Sequence, residues 1–234
     1  HSSAASTRIY QKQKNRRMEA LLEKYVEPIA AIGWLKHAEY PSGLINQAWK
    51  TLLQNQTHDG ICGVCLDEVH REMDQRFVDV KNIGVTIRNT YARAIARRIS
   101  CDQLSLAVFN NAMTQGVQSV KAIVYTKKTH FTLKDQSGNL VPFQIDQVED
   151  VDISENSIWT LYLNTKEMLK KIEITFSADF DFNVGYKVYT IHEGVHQPKI
   201  ESGLIILENG LENSLIKMTI NRNGSIDLLD KQTG

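Results

Sequence analysis

A histidine and an aspartate stand side by side in a polar stretch of the chain, at His58 and Asp59. An imidazole nitrogen and a carboxylate oxygen can together bind a divalent metal ion or hold the hydroxyl groups of a ligand. Gly60 and Gly63 follow, and glycine lets the backbone approach a ligand closely. The competing interpretation is an ordinary helix connector in which Asp59 caps a turn.

Two cysteines, Cys62 and Cys65, follow in the same stretch with C-x-x-C spacing. Together with His58 and His70 they could supply the four ligands of a tetrahedral zinc site. They also precede a predicted helix N-terminus, which would lower a thiol pKa and suit a redox pair. A single C-x-x-C is a moderate signal at best, and free cysteine commonly behaves as a small hydrophobe, so two small half-buried side chains in a tight loop are the favoured interpretation.

Other polar and aromatic groups are weaker candidates. The acidic cluster at 149–152 could bind calcium, but it lacks the spacing of a calcium loop, so we expect a solvated loop. Two histidines four residues apart lie in a predicted β region, where that spacing does not align them, and we expect loop residues. Three aromatic residues could stack on a sugar or fill a core. The acidic cluster consists of Glu149, Asp150 and Asp152, the two histidines are His192 and His196, and the aromatic residues are Trp159, Tyr186 and Tyr189.

A run of basic residues near the start of the chain could suit nucleic acid. The formal net charge is zero, since 27 Lys and Arg residues balance 27 Asp and Glu residues. We therefore expect a solvated helix face or a surface docked on an acidic neighbour. The run consists of Arg8, Lys12, Lys14, Arg16 and Arg17.

Three helices are predicted in the first hundred residues, and they must position these candidates. Pro28 should kink or restart the first helix. The second begins near Ser42 and the third near Asp67, each of which can act as an N-cap, and the third runs to Ser100. The loop of His58 therefore joins two helices of a three-helix bundle. The apolar stripes are Met18, Leu21, Leu22, Tyr25, Ile29 and Ile32; Leu44, Ile45, Ala48, Trp49 and Leu52; and Val69, Met73, Phe77, Val80, Ile87, Tyr91 and Ile95.

From about residue 104 the apolar period changes to two, which is typical of strands. Turn residues at 135–139 and 221–224 separate several of them. The sequence thus predicts an α+β multidomain chain, with a three-helix bundle at 1–102 and a small antiparallel β-sandwich at 103–197. The remainder, 198–234, reads as the opening strands of a further, truncated β domain. The strand candidates are 104–108, 120–125, 131–133, 141–145, 158–163, 172–176, 204–207, 216–220 and 226–229.

Composition narrows the class of protein. Zero net charge provides no field to recruit nucleic acid or an anionic membrane, and no apolar run approaches the ~20 residues that span a bilayer. The first residues lack the order of a signal peptide. Three cysteines form an odd set that argues against a disulfide framework. A reducing, cytoplasmic location is therefore expected.

The His58 loop resembles a known enzyme family. Residues 54–63, Gln-Asn-Gln-Thr-His-Asp-Gly-Ile-Cys-Gly, followed by Asp-Glu-Val-His at 67–70, resemble the His-Asp motif of glycoside hydrolase family 38. The segments 6–8 and 49–53 resemble the family's neighbouring sequence, and 207–210 resembles the opening of its large β domain. The resemblance covers the whole chain. Thr57 stands where eukaryotic members have a second histidine, which favours the bacterial branch.

The resemblance implies a retaining α-mannosidase that uses a divalent ion, usually zinc. By match to the motif, His58 would bind the metal and Asp59 would hydrogen-bond the sugar hydroxyls. A retaining glycosidase needs two carboxylates about 5–5.5 Å apart, and in this family both lie, with the other metal ligands, in an N-terminal β/α barrel. The chain is therefore expected to supply one wall of the site and to be inactive alone. Its implied partners are that barrel and an α-mannoside or mannose oligosaccharide, with neither nucleic acid nor membrane.

A non-catalytic binding or structural module is the second hypothesis, with the Cys/His zinc site as its only chemistry. The two hypotheses differ in where they need His58. An enzyme needs its side chain exposed at an end of the bundle, whereas burial inside the bundle would argue against the resemblance. The sequence leaves open the substrate, the identity of the metal, and whether the protein is a homo-oligomer.

Overall fold

The computed structural model describes residues 2–111, 115–152, 168–181, 184–196 and 203–234, with the side chains of 2 and 3 excepted. Contacts divide the chain into two units, His1–His196 and Gln197–Gly234. Helices come first and antiparallel sheets follow, so the predicted α+β class is confirmed. The predicted domain limits at 102 and 197 stay a prediction. The strand candidate at 158–163 and the connector at 197–201 lie outside the described residues.

The first unit begins with helices. A short 3₁₀ turn at Ser2–Ala5 precedes them, and a π-helical turn at Leu21–Val26 joins the first two. Together these two helices and their π turn form the first arm of the predicted bundle. The α-helices in the described residues are α1 (Ile9–Ala20), α2 (Glu27–Leu35), α3 (Ser42–Gln54), α4 (His58–Cys62) and α5 (Asp67–Ala96).

The disturbance predicted at Pro28 takes the form of this π turn. Pro28 occupies the first turn of α2, directly after the π turn, so its missing N–H falls where the hydrogen-bonding pattern changes from π to α. The wider turn before it shifts the apolar face, so that Leu22 and Val26 are fully buried whereas Tyr25 is 49% exposed. Placing Tyr25 in the stripe was wrong, because that stripe assumed an unbroken 3.6-residue period.

The bundle core forms where the first arm, α3 and α5 meet. The stripes predicted for α3 and α5 supply most of it, but Leu44 is 53% exposed, since the buried face of α3 is narrower than the stripe. The predicted caps are also wrong: Pro41 and Leu66 occupy the N-cap positions, and neither side chain makes a capping bond. The core consists of Leu22, Val26, Ala30, Ile45, Ala48, Leu52, Met73, Phe77, Val80 and Ile87.

Glycine allows α2 and α5 to approach closely. A Cβ added at Gly33 would lie 2.4 Å from Tyr91 Cδ1, which is far inside van der Waals contact. The Tyr91 ring cannot swing away freely, because its hydroxyl donates a hydrogen bond to the Glu39 carbonyl oxygen. The contact between these two helices therefore depends on the missing side chain at Gly33.

Two antiparallel sheets complete the first unit and pack on a common core. One sheet has the order β1-β7-β3-β4 and the other β2-β6-β5. Phe131 and Leu133 from the first sheet meet Ile172 and Ile174 from the second. The strands are β1 (Ser105–Asn110), β2 (Gly116–Thr126), β3 (Phe131–Lys134), β4 (Leu140–Val141), β5 (Phe143–Asp152), β6 (Met168–Phe180) and β7 (Gly185–Glu193).

An apolar cluster joins the bundle to the sandwich. Ile29, Ile32 and Ile95 are buried together, and Phe109 and Tyr186 from the sandwich pack against them. The two aromatic rings lie 5.7 Å apart between centroids. The α2 and α5 ends of the bundle are thus fixed to strands β1 and β7.

The second unit is a four-stranded antiparallel sheet within residues 203–234. Its order is β11-β10-β9-β8, and the predicted turn at 221–224 joins β10 to β11. Its strands are β8 (Ile205–Leu207), β9 (Gly210–Glu212), β10 (Ile216–Ile220) and β11 (Ile226–Asp230). Across both units, no helix in the described part of the chain is long and apolar enough to cross a bilayer.

The basic run on α1 faces acidic residues of α5. Arg8 contacts Asp67 at 2.6 Å and Lys14 contacts Asp74 at 2.8 Å. A third member, Arg16, pairs with Glu19 on its own helix. The pairs made by Arg8 and Lys14 agree with the predicted docking on an acidic neighbour.

Replacing Gly33 by alanine should destabilise the bundle. The added methyl group must displace the Tyr91 ring, and such overpacking lowers the free energy of unfolding by about 1–3 kcal/mol. Gly43 is the matched control, since nothing lies within 4 Å of an added Cβ there. Gly43→Ala should leave stability unchanged or raise it by up to about 1 kcal/mol. Urea unfolding followed by circular dichroism at 222 nm measures both, and equal stability of the two variants would contradict the packing argument.

The contact between Arg8 and Asp67 should depend on pH. The hydrogen bond and positive charge of Arg8 hold the Asp67 pKa below its ordinary value of 3.8. A lowered folded-state pKa means that the contact stabilises the fold above about pH 3.8 and is lost as pH falls through the lower value. In Arg8→Gly, chosen because Arg8 has a φ of 46°, the Asp67 pKa should rise toward 3.8 in a carboxyl NMR titration. Arg16→Ala should leave it unchanged.

Candidate functional site

The loop that carries His58 is short and held at both ends. After α3 ends, residues 55–57 turn the chain, and α4 begins at His58. Gly60 is buried against Thr57 and Met73, where an added Cβ would lie 3.0 and 3.3 Å from their side chains. Gly63 ends α4 with a φ of 83°, a conformation that favours glycine. The two glycines therefore allow the tight backbone conformation of the loop.

Asn55 fastens the loop to α5. Its side chain is fully buried, and its Nδ2 donates a 2.9 Å hydrogen bond to the Met73 carbonyl oxygen. Its Oδ1 accepts a 3.4 Å hydrogen bond from Arg76. Because a buried amide without partners is costly, these bonds specify where the loop leaves α3.

Gln56 fastens the loop to α1. Its Nε2 donates to Glu19 Oε1 at 2.9 Å and to Asn15 Oδ1 at 3.2 Å. Asn15 Nδ2 donates to the same Glu19 oxygen at 2.8 Å, which closes a three-residue network. Two neighbouring residues of the loop thus bind two different helices.

His58 and Asp59 follow these anchors and face solvent. The His58 side chain is 88% exposed and that of Asp59 is 59% exposed. His58 Nε2 lies 2.8 Å from Asp59 Oδ1. An imidazole and a carboxylate in contact, exposed on an anchored loop, can bind hydroxyl groups or a cation. The exposure required for an enzyme role is present, whereas the roles of the two residues stay predictions.

The donor chemistry of this pair suits zinc or a similar divalent ion, but the pair alone is too small a set. Imidazole and carboxylate are ordinary zinc ligands, and catalytic zinc has three protein ligands. Within the described residues, no group of three or more His, Cys, Asp or Glu side chains could hold a metal ion. His58 and Asp59 can therefore form one corner of a metal site.

The predicted Cys/His zinc site is not formed. Cys62 and Cys65 are free and half-buried. His70 is only 3% exposed, whereas the His58 side chain is exposed. These four side chains are all described, and they make no group of three or more metal ligands. The expectation of two half-buried cysteines in a tight loop agrees with the structure.

The acidic cluster lies on a strand, so the predicted solvated loop is wrong. Its residues belong to β5, whose side chains alternate between the two faces of the sheet. Glu149 contacts Lys171 at 2.9 Å and Asp150 contacts Lys170, both across the sheet on β6. Lysine side chains on the neighbouring strand therefore form ion pairs with two of the three proposed calcium ligands.

The remaining histidine and aromatic candidates lie in or beside β7. His192 is a residue of this strand, so the loop predicted for it is wrong, whereas His196 follows the strand without regular structure. Tyr189 is buried and meets Phe176 edge-on with centroids 5.0 Å apart, which is a core contact. Tyr186 packs at the bundle junction. Trp159 lies outside the described residues.

The anchoring network was missed from the sequence. Its members are polar, and an apolar stripe does not reveal them. One signal was available: Gln11, Asn15 and Glu19 recur at intervals of four residues, which places them on one face of α1. Gln11 and Asn15 are the buried residues of that helix.

Replacing Asn55 by alanine should loosen the loop and destabilise the bundle. The change leaves the buried Met73 carbonyl oxygen without this donor, which lowers the free energy of unfolding by about 1–3 kcal/mol. Amide hydrogen exchange at residues 57–60 should accelerate as well. Gln54→Ala is the matched control, because Gln54 is exposed on the preceding turn. Unchanged exchange in Asn55→Ala would show that the anchor does not position the loop.

Comparison with known proteins identifies the helical part. Residues 1–95 match the family model of the alpha mannosidase middle domain. The chain is 28% identical over 260 residues to a putative mannosylglycerate hydrolase of Halalkalibacterium halodurans, across 99% of this chain and 29% of that protein. It is 29% identical over 97 residues to alpha-mannosidase 2C1 of Homo sapiens, across 41% of this chain and 9% of that protein.

Solved structures extend the similarity to the sheets. A glycosyl hydrolase family 38 protein from Enterococcus faecalis superposes with a TM-score of 0.83 at 26% identity, over 99% of this chain and 30% of that one. An alpha-mannosidase from Enterococcus faecalis V583, at 24% identity, shares the fold with a TM-score of 0.79, over 99% of this chain and 29% of that one. The chain thus spans about 30% of the length of such relatives. The helical residues 1–95 thus match the alpha mannosidase middle domain, and the chain over 99% of its length is similar to a solved protein of glycosyl hydrolase family 38.

Proposed function

We propose that this chain forms one wall of the active site of a retaining, metal-dependent α-mannosidase. The observation that carries the proposal is the exposed His58–Asp59 pair, with its 2.8 Å contact, on a loop anchored to two helices. A loop so held can present the pair to a ligand with little loss of conformational entropy on binding. The family match of the surrounding helices supports the assignment.

In this proposal His58 contributes an imidazole nitrogen to a divalent ion, and Asp59 accepts hydrogen bonds from sugar hydroxyls. The ion, zinc or a similar cation, would supply electrostatic polarisation of those hydroxyls when bound. Asp59 also orients the His58 ring through their shared contact, which fixes the nitrogen that faces outward. The exposed position of both side chains leaves their outer faces accessible to substrate.

The nucleophile and the acid/base are proposed to come from elsewhere in the polypeptide. Two carboxylates must flank the scissile bond about 5–5.5 Å apart in a retaining enzyme, and the pair offers one carboxylate. An N-terminal β/α barrel, as the family resemblance implies, would provide both carboxylates and the remaining metal ligands. A cytoplasmic location is proposed with it, supported by the odd set of three cysteines.

The putative mannosylglycerate hydrolase gives a second candidate substrate. It matches 99% of this chain, whereas alpha-mannosidase 2C1 matches 41%. Both candidate substrates carry a mannose group and differ in what it is attached to, so the proposed roles of His58 and Asp59 are the same for both. We propose mannosylglycerate as the alternative to a mannoside of an oligosaccharide.

The activity of the natural full-length protein should depend on His58 and Asp59. With an aryl α-mannoside and with mannosylglycerate, His58→Ala should lower kcat/KM by at least about 100-fold and Asp59→Asn by about 10- to 100-fold, because each change removes a group that holds the metal or the sugar. His37→Ala is the matched control, since His37 is another exposed histidine. The ratio of the two kcat/KM values decides between the substrates.

An assay of residues 1–234 alone tests whether the nucleophile and the acid/base lie outside this chain. Purified residues 1–234, assayed with zinc and an aryl α-mannoside, should show no turnover above background. Clear turnover that His58→Ala abolishes would contradict the proposal that the nucleophile and the acid/base lie elsewhere.

A further inference from the structure

Two histidine rings lie against each other at the far end of β7. The ring centroids of His130 and His196 are 4.0 Å apart, and their planes are inclined by 35°. Both residues are exposed. His130 directly precedes β3, and His196 follows β7 by three residues, so the contact joins two segments that are distant in sequence.

The backbone holds the two segments in register. Phe131 pairs with Glu193 at the end of the β3–β7 ladder, and the Gly194 N–H donates a 2.7 Å hydrogen bond to the His130 carbonyl oxygen. Gly194 has a φ of 80°, which turns the chain immediately after the ladder. The last pair of the ladder therefore sets the distance between the histidine-bearing backbones.

A side-chain contact reinforces this end of the sheet. The Glu193 carboxylate accepts hydrogen bonds from the Thr126 hydroxyl and, at 2.9 Å, from the Lys127 N–H. These bonds tie the end of β7 to the end of β2 and to the turn that leads to His130. The histidine pair thus stands on a platform of three strands rather than on a free loop.

The two rings are near enough to reach one metal ion once they separate slightly. With metal–nitrogen distances of about 2.0–2.1 Å and the two nitrogens on adjacent corners of the coordination shell, ring centroids lie roughly 4.5–5.2 Å apart. The observed separation is 4.0 Å, with the ring planes inclined by 35°. Both side chains are exposed, so rotations that move the rings apart by roughly 0.5–1 Å can turn one nitrogen of each toward a shared cation while the backbone stays in place.

We propose that His130 and His196 form a bidentate site for a divalent transition metal ion, of which zinc is the test case. Imidazole is a preferred ligand of zinc, nickel and copper. Within the described residues no third His, Cys, Asp or Glu side chain joins the pair, so water or an external ligand completes the coordination. The site is distinct from His58 and does not depend on the proposed glycosidase function.

The charges around the pair limit its affinity. The Glu193 carboxylate, at the end of β7, accepts hydrogen bonds from Thr126 and Lys127. The Lys128 ammonium lies near Gly194, where an added Cβ would be 2.9 Å from its Nζ. Since this cation repels a bound metal ion, Lys128→Met should tighten zinc binding.

Zinc titration of the full chain tests the site. Isothermal titration calorimetry should show that His130→Ala and His196→Ala each weaken the zinc site about tenfold or more, because the second ligand binds intramolecularly only when the first is present. The double variant should be no weaker than either single variant. In NMR spectra, one equivalent of zinc should shift the imidazole signals of His130 and His196 together.

Matched variants exclude the other donors. His37→Ala and His58→Ala remove exposed histidines elsewhere, and Cys62→Ser with Cys65→Ser removes the thiol pair; all should keep the affinity of the unaltered chain. Unchanged zinc affinity in both His130→Ala and His196→Ala would overturn the proposal. So would loss of the site in the His58 or cysteine variants. Circular dichroism checks folding, which these exposed substitutions should leave intact.

Discussion

Burial of one face of a single long helix is the constraint on which the first unit depends. Helix α5 runs from Asp67 to Ala96 and packs against the first arm, α3 and α4. Its apolar stripe fills the bundle core, and its last buried residue, Ile95, reaches the cluster shared with the sandwich. Because close-packed interiors tolerate little displacement, the position of α5 constrains the positions of all the elements that pack against it.

Close approach makes this packing specific. Gly33 of α2 lies over Tyr91 of α5, and Gly84 of α5 lies over Leu21 of the π turn, with no room for a Cβ at either glycine without displacement. Apolar burial alone is non-directional and would allow the first arm to slide along α5. The two glycine contacts remove that freedom, since a small shift in either direction brings larger side chains into conflict.

Directional bonds then place the His58 loop relative to this core. Asn55 hydrogen-bonds to α5 and Gln56 to α1, so both helices together fix the position of the loop. The exposed pair that follows makes little apolar contact of its own, which is the usual condition of residues that meet a ligand. Stability and accessibility are thus divided between neighbouring residues of one short segment: the first two are buried or half-buried, and His58 and Asp59 face solvent.

How much the sequence predicts varies with the kind of element. The stripes of α3 and α5 were read correctly at most positions, because one face of each helix packs on apolar neighbours and keeps a 3.6-residue period. Helix α1 gave no such signal, since its buried residues are Gln11 and Asn15. Strand β7 was missed for a different reason. It lies between β1 and β3 in the middle of its sheet and has buried residues on both faces, at Val188 and Tyr189, which erases the alternation that marks a half-exposed strand.

By itself the sequence determined the class of fold and singled out the segment that is proposed to carry the chemistry. Period and turn residues are local properties, so they gave helices followed by antiparallel strands, and the His-Asp motif marked residues 54–63. Only the tertiary structure decided that Pro28 is accommodated by a π turn, that His70 is buried away from Cys62 and Cys65, and that His130 meets His196. Each of these depends on which residues distant in sequence become neighbours, and that is set by packing across the whole core rather than by any local pattern.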